Sequence, residues 1–198
     1  MTTGVLTQRL AEYADHLTQL PMPHLVSRLR PGASSESVRA TLAHRGMQAP
    51  EELVELYSWH DGTETTPELR GGSSLWFTPP YFFASLATSA QMYDELMAAP
   101  GRWDASWWPI AFDNAGSYLN AVCFDEPNTV APVLEYWTET HEEAVIHVSL
   151  ERWIATLKAG MASGAIHVAA DGGLDVDDAQ YLDEIGPVLN PGVPFWHE

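Results

Sequence analysis

An α+β fold, with one central and mainly antiparallel sheet and helices packed around it, follows from three features of the sequence. The first third carries apolar residues at three- and four-residue spacing, the stripe of helices that bury one face. The middle carries short β-branched and aromatic runs, "WWPIAFD", "SYLNAVCFD" and "APVLEYW", separated by the turn formers "NAG" and "EPNT", as antiparallel neighbours joined by short turns require. Strands and helices do not alternate throughout, which argues against a doubly wound parallel sheet.

Taken in order, Leu6, Leu10, Tyr13, Leu17 and Leu20 form the stripe of a first helix that Pro21 ends. "PMPHLVSRLRPGASS" reads as a connector. Ser34 or Ser35 caps a second helix through Val38, Leu42 and Ala43, and Gly46 stops it. A third starts at Pro50, places Glu51 and Glu52 at the positive end of its dipole, and buries Leu53, Leu56 and Tyr57. It is expected to end at Asp61-Gly62, with Gly62 in the left-handed conformation and Trp59 packed under the turn. "TETTPELRGGSS" is an exposed loop and "SLWFTPPYFF" an extended segment broken by Pro79-Pro80. "ASLATSAQMYDELMAA" is a helix with the stripe Leu86, Met92, Leu96 and Met97 beside it. In the strand that follows, Tyr118, Asn120, Val122 and Phe124 share one face and Leu119, Ala121 and Cys123 the other. Both faces are largely apolar, so this strand is central. "AVIHV" adds a further strand, and Ser149 caps a helix with Trp153, Ile154, Leu157 and Met161 inward and Gly164 past its end. Beyond His167 a short helix near Asp177 to Ile185 is expected between loops.

The 198 residues suffice for a sizeable core, and one domain is the expectation. With 45% hydrophobic residues and eight tryptophans the chain should fold. Its 27 acidic and 9 basic residues give a formal charge of −18, with 24 acids and four bases after residue 50. Such a field repels nucleic acid and speeds encounter with basic partners. Cys123, the single cysteine, excludes an intramolecular disulfide and suits a reducing compartment. No positively charged start precedes an apolar run and no apolar window reaches membrane-span length, so a cytoplasmic protein without membrane contact is expected.

The search for chemistry is mostly negative. Nucleotide-binding glycine motifs, H-E-x-x-H, G-x-S-x-G and paired C-x-x-C are all absent. Cys123 lies between Val122 and Phe124 and reads as a small core residue. The acidic "DGGLDVDD" fails the EF-hand pattern counted from Asp175: Ala179 is fifth, Gln180 stands where Gly is needed, and Gly186 where a bidentate Glu is needed. It reads as a solvated loop. His141 and His147 in "HEEAVIH" lack a third ligand for zinc. His60 and Asp61 would need an irregular helix end to act as an acid–base pair. No cofactor or metal is expected.

Three blocks, in order, resemble the SUKH superfamily, the group of the fungal Smi/Knr-type cell-wall regulators. "GMQAPEELVELYSWHDG" resembles its signature helix with a closing Asp-Gly, "WWPIAFDNAGSYLNAVCFD" its second block, and "TVAPVLEYW" followed by "SLERWIATLKAGMASG" its third. The resemblance spans 35–164, leaving an N-terminal helix and connector (1–34) and an acidic C-terminal extension (165–198). It implies a helix-backed sheet, protein binding rather than catalysis, and no catalytic residues. Trp59, Asp61, Gly62, Pro109, Ile110 and Gly116 match as fold-defining positions. Bacterial members of the superfamily are regarded as immunity proteins that neutralise toxins, many acting on nucleic acid; fungal ones regulate wall synthesis through protein partners.

Charge and resemblance together predict an immunity protein that places carboxylates over a basic toxin site. The candidate partner-binding residues are Asp125 and Glu126 at a turn, Glu139, Glu142 and Glu143 before the last strand, and Asp175, Asp177 and Asp178 in the acidic loop. A regulatory scaffold with a housekeeping partner is the alternative, and an enzyme or metal protein without a recognisable motif the second.

Overall fold

A computed structural model describes residues 4–20, 23–65, 75–99, 101–124, 130–170 and 172–197. Helix α1 (Val5–Gln19) buries the expected stripe, Leu6, Leu10, Tyr13 and Leu17. It lies on α4 (Glu51–Trp59) and α6 (Leu150–Ser163). Each of those side chains, taken fully out of water, contributes roughly 1.5–3 kcal/mol. Polar links fix the angle: Arg9 pairs with Glu151 at 3.0 Å, Lys158 with Glu12, and Thr7 donates to Glu55 at 2.9 Å. Helix α2 (Pro23–Ser27) and strand β1 (Leu29–Pro31) follow. Ser34 then caps α3 (Ser35–Ala43) by accepting the Ser37 N–H.

Helix α4 ends two residues earlier than its sequence suggests. His60 takes extended backbone, and His60–Thr63 is a strand, β2, antiparallel to β1. The Asp-Gly step therefore sits in a small sheet rather than in a helix-terminating turn. What overrides the local stop signal is tertiary pairing: the segment read as a connector supplies the partner strand.

The central sheet has the order β3-β4-β5-β6-β7, all antiparallel neighbours. Its strands are β3 (Phe82–Phe83), β4 (Trp107–Phe112), β5 (Ser117–Val122), β6 (Val133–Trp137) and β7 (Glu142–His147). The α+β architecture with helices packed on this sheet is the one the sequence predicts. β5 is central, and register places Trp108, Ala121 and Val133 on one face and Pro109, Asn120 and Leu134 on the other. The first face meets the helices through one continuous apolar cluster that runs from Leu6 to Trp196. The second holds smaller clusters, one of them Trp107, Val122, Leu134 and Tyr136 with Trp103 against them.

Helix α5 (Leu86–Ala98), capped by Ser85, buries Leu86, Ser89 and Tyr93 rather than the predicted Met92 and Leu96 stripe; Met97 is exposed. Two polar groups explain the rotation. The Ser89 and Tyr57 hydroxyls bond at 2.8 Å, and Tyr93 donates to the Ala105 carbonyl, so the face that satisfies buried hydroxyls turns inward. α6 is capped by Ser149 and ends at Gly164 with φ 85, as its sequence predicts.

After α6 the acidic segment is more ordered than loops and one helix. β8 (Ile166–Val168) and β9 (Leu174–Val176) form a hairpin. Helices α7 (Asp178–Gln180) and α8 (Gly186–Leu189) then flank a π-helical turn, Tyr181–Ile185. Pro194–Trp196 forms a 3-10 turn that seats the Trp196 ring against the sheet, where its indole N–H donates to the Ile146 carbonyl at 2.5 Å. Among the described residues no helix is long and apolar enough to cross a membrane.

Candidate functional site

The positions read from the sequence as fold-defining sit at turns and joints. Trp59 closes α4, its ring 4.4 Å from that of His60 and 6.1 Å from that of Phe77. Asp61 accepts the Leu86 N–H at 2.6 Å and so caps α5 from another element. His60 bonds the Arg30 carbonyl instead, and the two neighbours do not act as a pair. Gly62 has φ 75, and a Cβ there would lie 2.6 Å from the Ala84 carbonyl carbon. Glycine alone meets both demands. Pro109 is buried opposite Asn120, Ile110 is the extra residue where the β4–β5 register shifts, and Gly116 turns the chain into β5 with φ 93.

The proposed partner-binding carboxylates fall into separate places. Asp125 and Glu126 lie outside the described residues. Glu139, Glu142 and Glu143 are exposed at the β6–β7 hairpin, with Glu139 and Glu142 lining a shallow cleft of about 300 Å³. Asp175, Asp177 and Asp178 are exposed on the C-terminal segment. Asp177 also caps α7 by accepting the Gln180 N–H. Asp175 and Asp178 border a second and larger cavity.

That cavity, about 420 Å³, lies between the helix-facing side of the sheet and the C-terminal segment. The 76–81 stretch contributes Trp76 and Tyr81, the sheet Glu135 and His147, α6 Trp153, and the C-terminal segment Tyr181 and Trp196. Its volume lies within the roughly 300–1,000 Å³ typical of ligand sites. Glu135 stands on the face that β6 turns toward the helices, between Leu119 and Ala144. Its carboxylate accepts a hydrogen bond from the Tyr81 hydroxyl. Desolvation first, and then the negative charge of Asp113, raises its pKa above the usual carboxylate range. Burial and the same carboxylate push Tyr81 up.

His147 is almost wholly buried, and burial pulls its pKa down to about 4. The ring is therefore neutral at physiological pH. Asn190 donates to the Gly186 carbonyl at 3.0 Å and the Thr156 hydroxyl at 3.1 Å. This orientation leaves its Oδ1 as the acceptor for His147 Nδ1–H at 2.9 Å. The cluster ties the C-terminal segment to β7 and α6. His141 instead bonds the Tyr136 hydroxyl. Among the described residues no group of three or more His, Cys, Asp and Glu is arranged to hold a metal ion. Cys123 is buried and its thiol pushed up to about 12, which makes it a poor nucleophile.

Glu52 has a structural role that its sequence position, first turn of α4, does not announce. Its Oε2 accepts the N–H groups of Ala131 at 2.9 Å and Leu150 at 3.0 Å, joining α4 to the β5–β6 connection and the start of α6. Desolvation raises its pKa, and the backbone donors lower it in part. Glu135 was similarly legible only in part. "VLEYW" places Val133, Glu135 and Trp137 on one face, so a carboxylate at a core-facing strand position is the signal that could have singled it out.

The structure is a helix-backed antiparallel sheet with polar groups at joints and helix caps and one carboxylate-bearing cavity. Residues 32–156 match the SMI1 / KNR4 family (SUKH-1), and the chain belongs to that family. The family is one of protein-interacting and generally non-enzymatic domains. No curated protein matches the chain. The cavity spans the edge of the match: Trp76, Tyr81, Glu135, His147 and Trp153 lie inside it, Asp175, Asp178, Tyr181 and Trp196 beyond it.

Proposed function

We propose that the chain is a cytoplasmic immunity protein, a non-catalytic domain that binds and neutralises a basic toxin whose own target is nucleic acid. The observation that carries this reading is how the charges are spent. Every ion pair among the described residues consumes a base on Glu12, Glu51, Glu64, Asp94 or Glu151. None of these pairs involves Glu139, Glu142, Glu143, Asp175, Asp177 or Asp178. Asp175, Asp177 and Glu142 accept local hydrogen bonds, but the charge of these exposed carboxylates is left unpaired by the ion pairs of the described residues. A toxin that grips phosphate presents a basic groove, and a formal charge of −18 steers association toward it, by about tenfold to a thousandfold in rate at low salt.

The test is capture of the product of the neighbouring gene, with association rates measured at low and high salt. A complex whose on-rate falls steeply with salt, and falls again when Asp175 and Asp178 are changed to Asn, supports the reading. A complex indifferent to both, or none, overturns the electrostatic mechanism. A complex formed instead with a housekeeping protein would assign the chain to the scaffold class.

A further inference from the structure

We propose that the cavity around Glu135 is the receptor for a single basic side chain, the guanidinium of an arginine or the ammonium of a lysine, presented by the protein partner. Three properties of the cavity select that occupant. Its walls are aromatic, with Trp76, Tyr81, Trp153, Tyr181 and Trp196 among the lining side chains, and ring faces attract a cation that also needs apolar cover for its stem. Its acidic floor is Glu135, and Asp175 and Asp178 stand at its border. Among the described residues no arginine or lysine lines it, and no ion pair reaches any of these three carboxylates.

The hydrogen bonding of Glu135 leaves room for such a guest. Tyr81 satisfies part of the carboxylate's accepting capacity, whereas a carboxylate offers about four lone-pair sites. His147, which also lines the cavity, is committed to Asn190 and neutral, so it neither repels an entering cation nor neutralises Glu135. A half-buried carboxylate with no counter-ion among the described residues is costly for the protein alone. Its raised pKa expresses that cost, and an incoming cation would remove it. Anionic and neutral polar guests gain nothing comparable.

This assignment rests on the protein-binding reading only for the source of the cation. The cavity's chemistry is tested without any partner. N-acetyl-arginine amide and N-acetyl-lysine amide are titrated into the full chain and followed by tryptophan fluorescence and by heat, beside N-acetyl-citrulline amide, the neutral isostere of arginine. At least one basic amide is expected to bind, the citrulline derivative at least about tenfold more weakly. Glu135→Gln, which keeps an acceptor for Tyr81, is expected to reduce the basic amide's affinity by about tenfold or more. The same variant should be more stable than the native chain near neutral pH, since it removes a desolvated charge; this readout separates a lost site from a misfolded protein. Equal binding of citrulline and arginine derivatives, no binding of either basic amide at millimolar concentration, or undiminished binding by a folded Glu135→Gln each overturns the proposal. Failure to capture a toxin leaves this outcome unaffected, so the two readings fail separately.

Discussion

Acidification should loosen the C-terminal segment through one residue, His147. In the unfolded chain its ring takes up a proton near pH 6.5, whereas in the fold burial defers protonation to about 4. Between those values the unfolded state binds more protons, so the free energy of unfolding falls as pH falls. The stability is fully present above 6.5 and is lost as pH drops toward 4. Across the whole window the contribution is about 3 kcal/mol, and about 2 kcal/mol of it disappears between roughly pH 7 and pH 5. The measurement is urea unfolding, followed by tryptophan fluorescence, of the native chain and His147→Gln over that range. Other groups titrate alike in both proteins, so the difference between the two curves isolates the ring. The native chain should lose about 2 kcal/mol more than the variant. Parallel curves, or a ring that titrates near 6.5 by NMR in the folded protein, would refute a buried neutral imidazole bonded to Asn190.

Gly62→Ala combines a positive φ with a backbone clash against Ala84 and Ser85 and should cost about 2–4 kcal/mol; a melting temperature within a degree of the native chain would contradict it. Glu52→Ala strands the Ala131 and Leu150 N–H groups and should cost about 2–4 kcal/mol in urea unfolding, with Glu52→Gln, which keeps an acceptor, costing less. Gly186→Ala would place a Cβ 2.6 Å from Trp196 Cδ2. Displacement of that indole should destabilise the chain by about 1–3 kcal/mol and change the tryptophan emission spectrum; an unaltered spectrum would show that the ring does not pack there.

Much of the fold could be read from the chain because its strongest signals are local and periodic. α1 and α6 carry long apolar stripes with clear stops, and the β4–β5–β6 run carries turn residues at the spacing antiparallel strands need. Most of the misreadings involve partners distant in sequence. β1 and β2 are short, and each is stabilised by the other across 29 to 63, so neither announces itself. β8 and β9 hide in an acidic stretch because composition reports solvation, whereas pairing depends on Leu174 and Ile166 reaching the core. α5 rotated because hydroxyl partners on Tyr57 and Ala105 outweighed a methionine stripe, and nothing within the helix encodes where those partners stand. The cavity was invisible for the same reason. Its walls come from the 76–81 stretch, three strands of the central sheet, α6 and several elements of the C-terminal segment, and only the core-facing parity of Glu135 hinted at it.

The family match and the cavity do not coincide, and the mismatch has a functional logic. Residues 32–156 supply the sheet, the helix that backs it, Glu135 and half of the aromatic wall, all anchored by joints such as Glu52 and Asp61. The segment after α6 supplies the remaining wall and the bordering carboxylates Asp175 and Asp178. It is held by the Asn190 cluster and the Trp196 indole, and by Ile166, Leu174 and Val193, which join the continuous core. Only its exposed positions, such as Asp175 and Asp178, can change in sequence without disturbing that core. On the proposed reading the two parts would divide the work: Glu135, held by the sheet, would grip the basic side chain, and the exposed rim carboxylates would select which partner presents it.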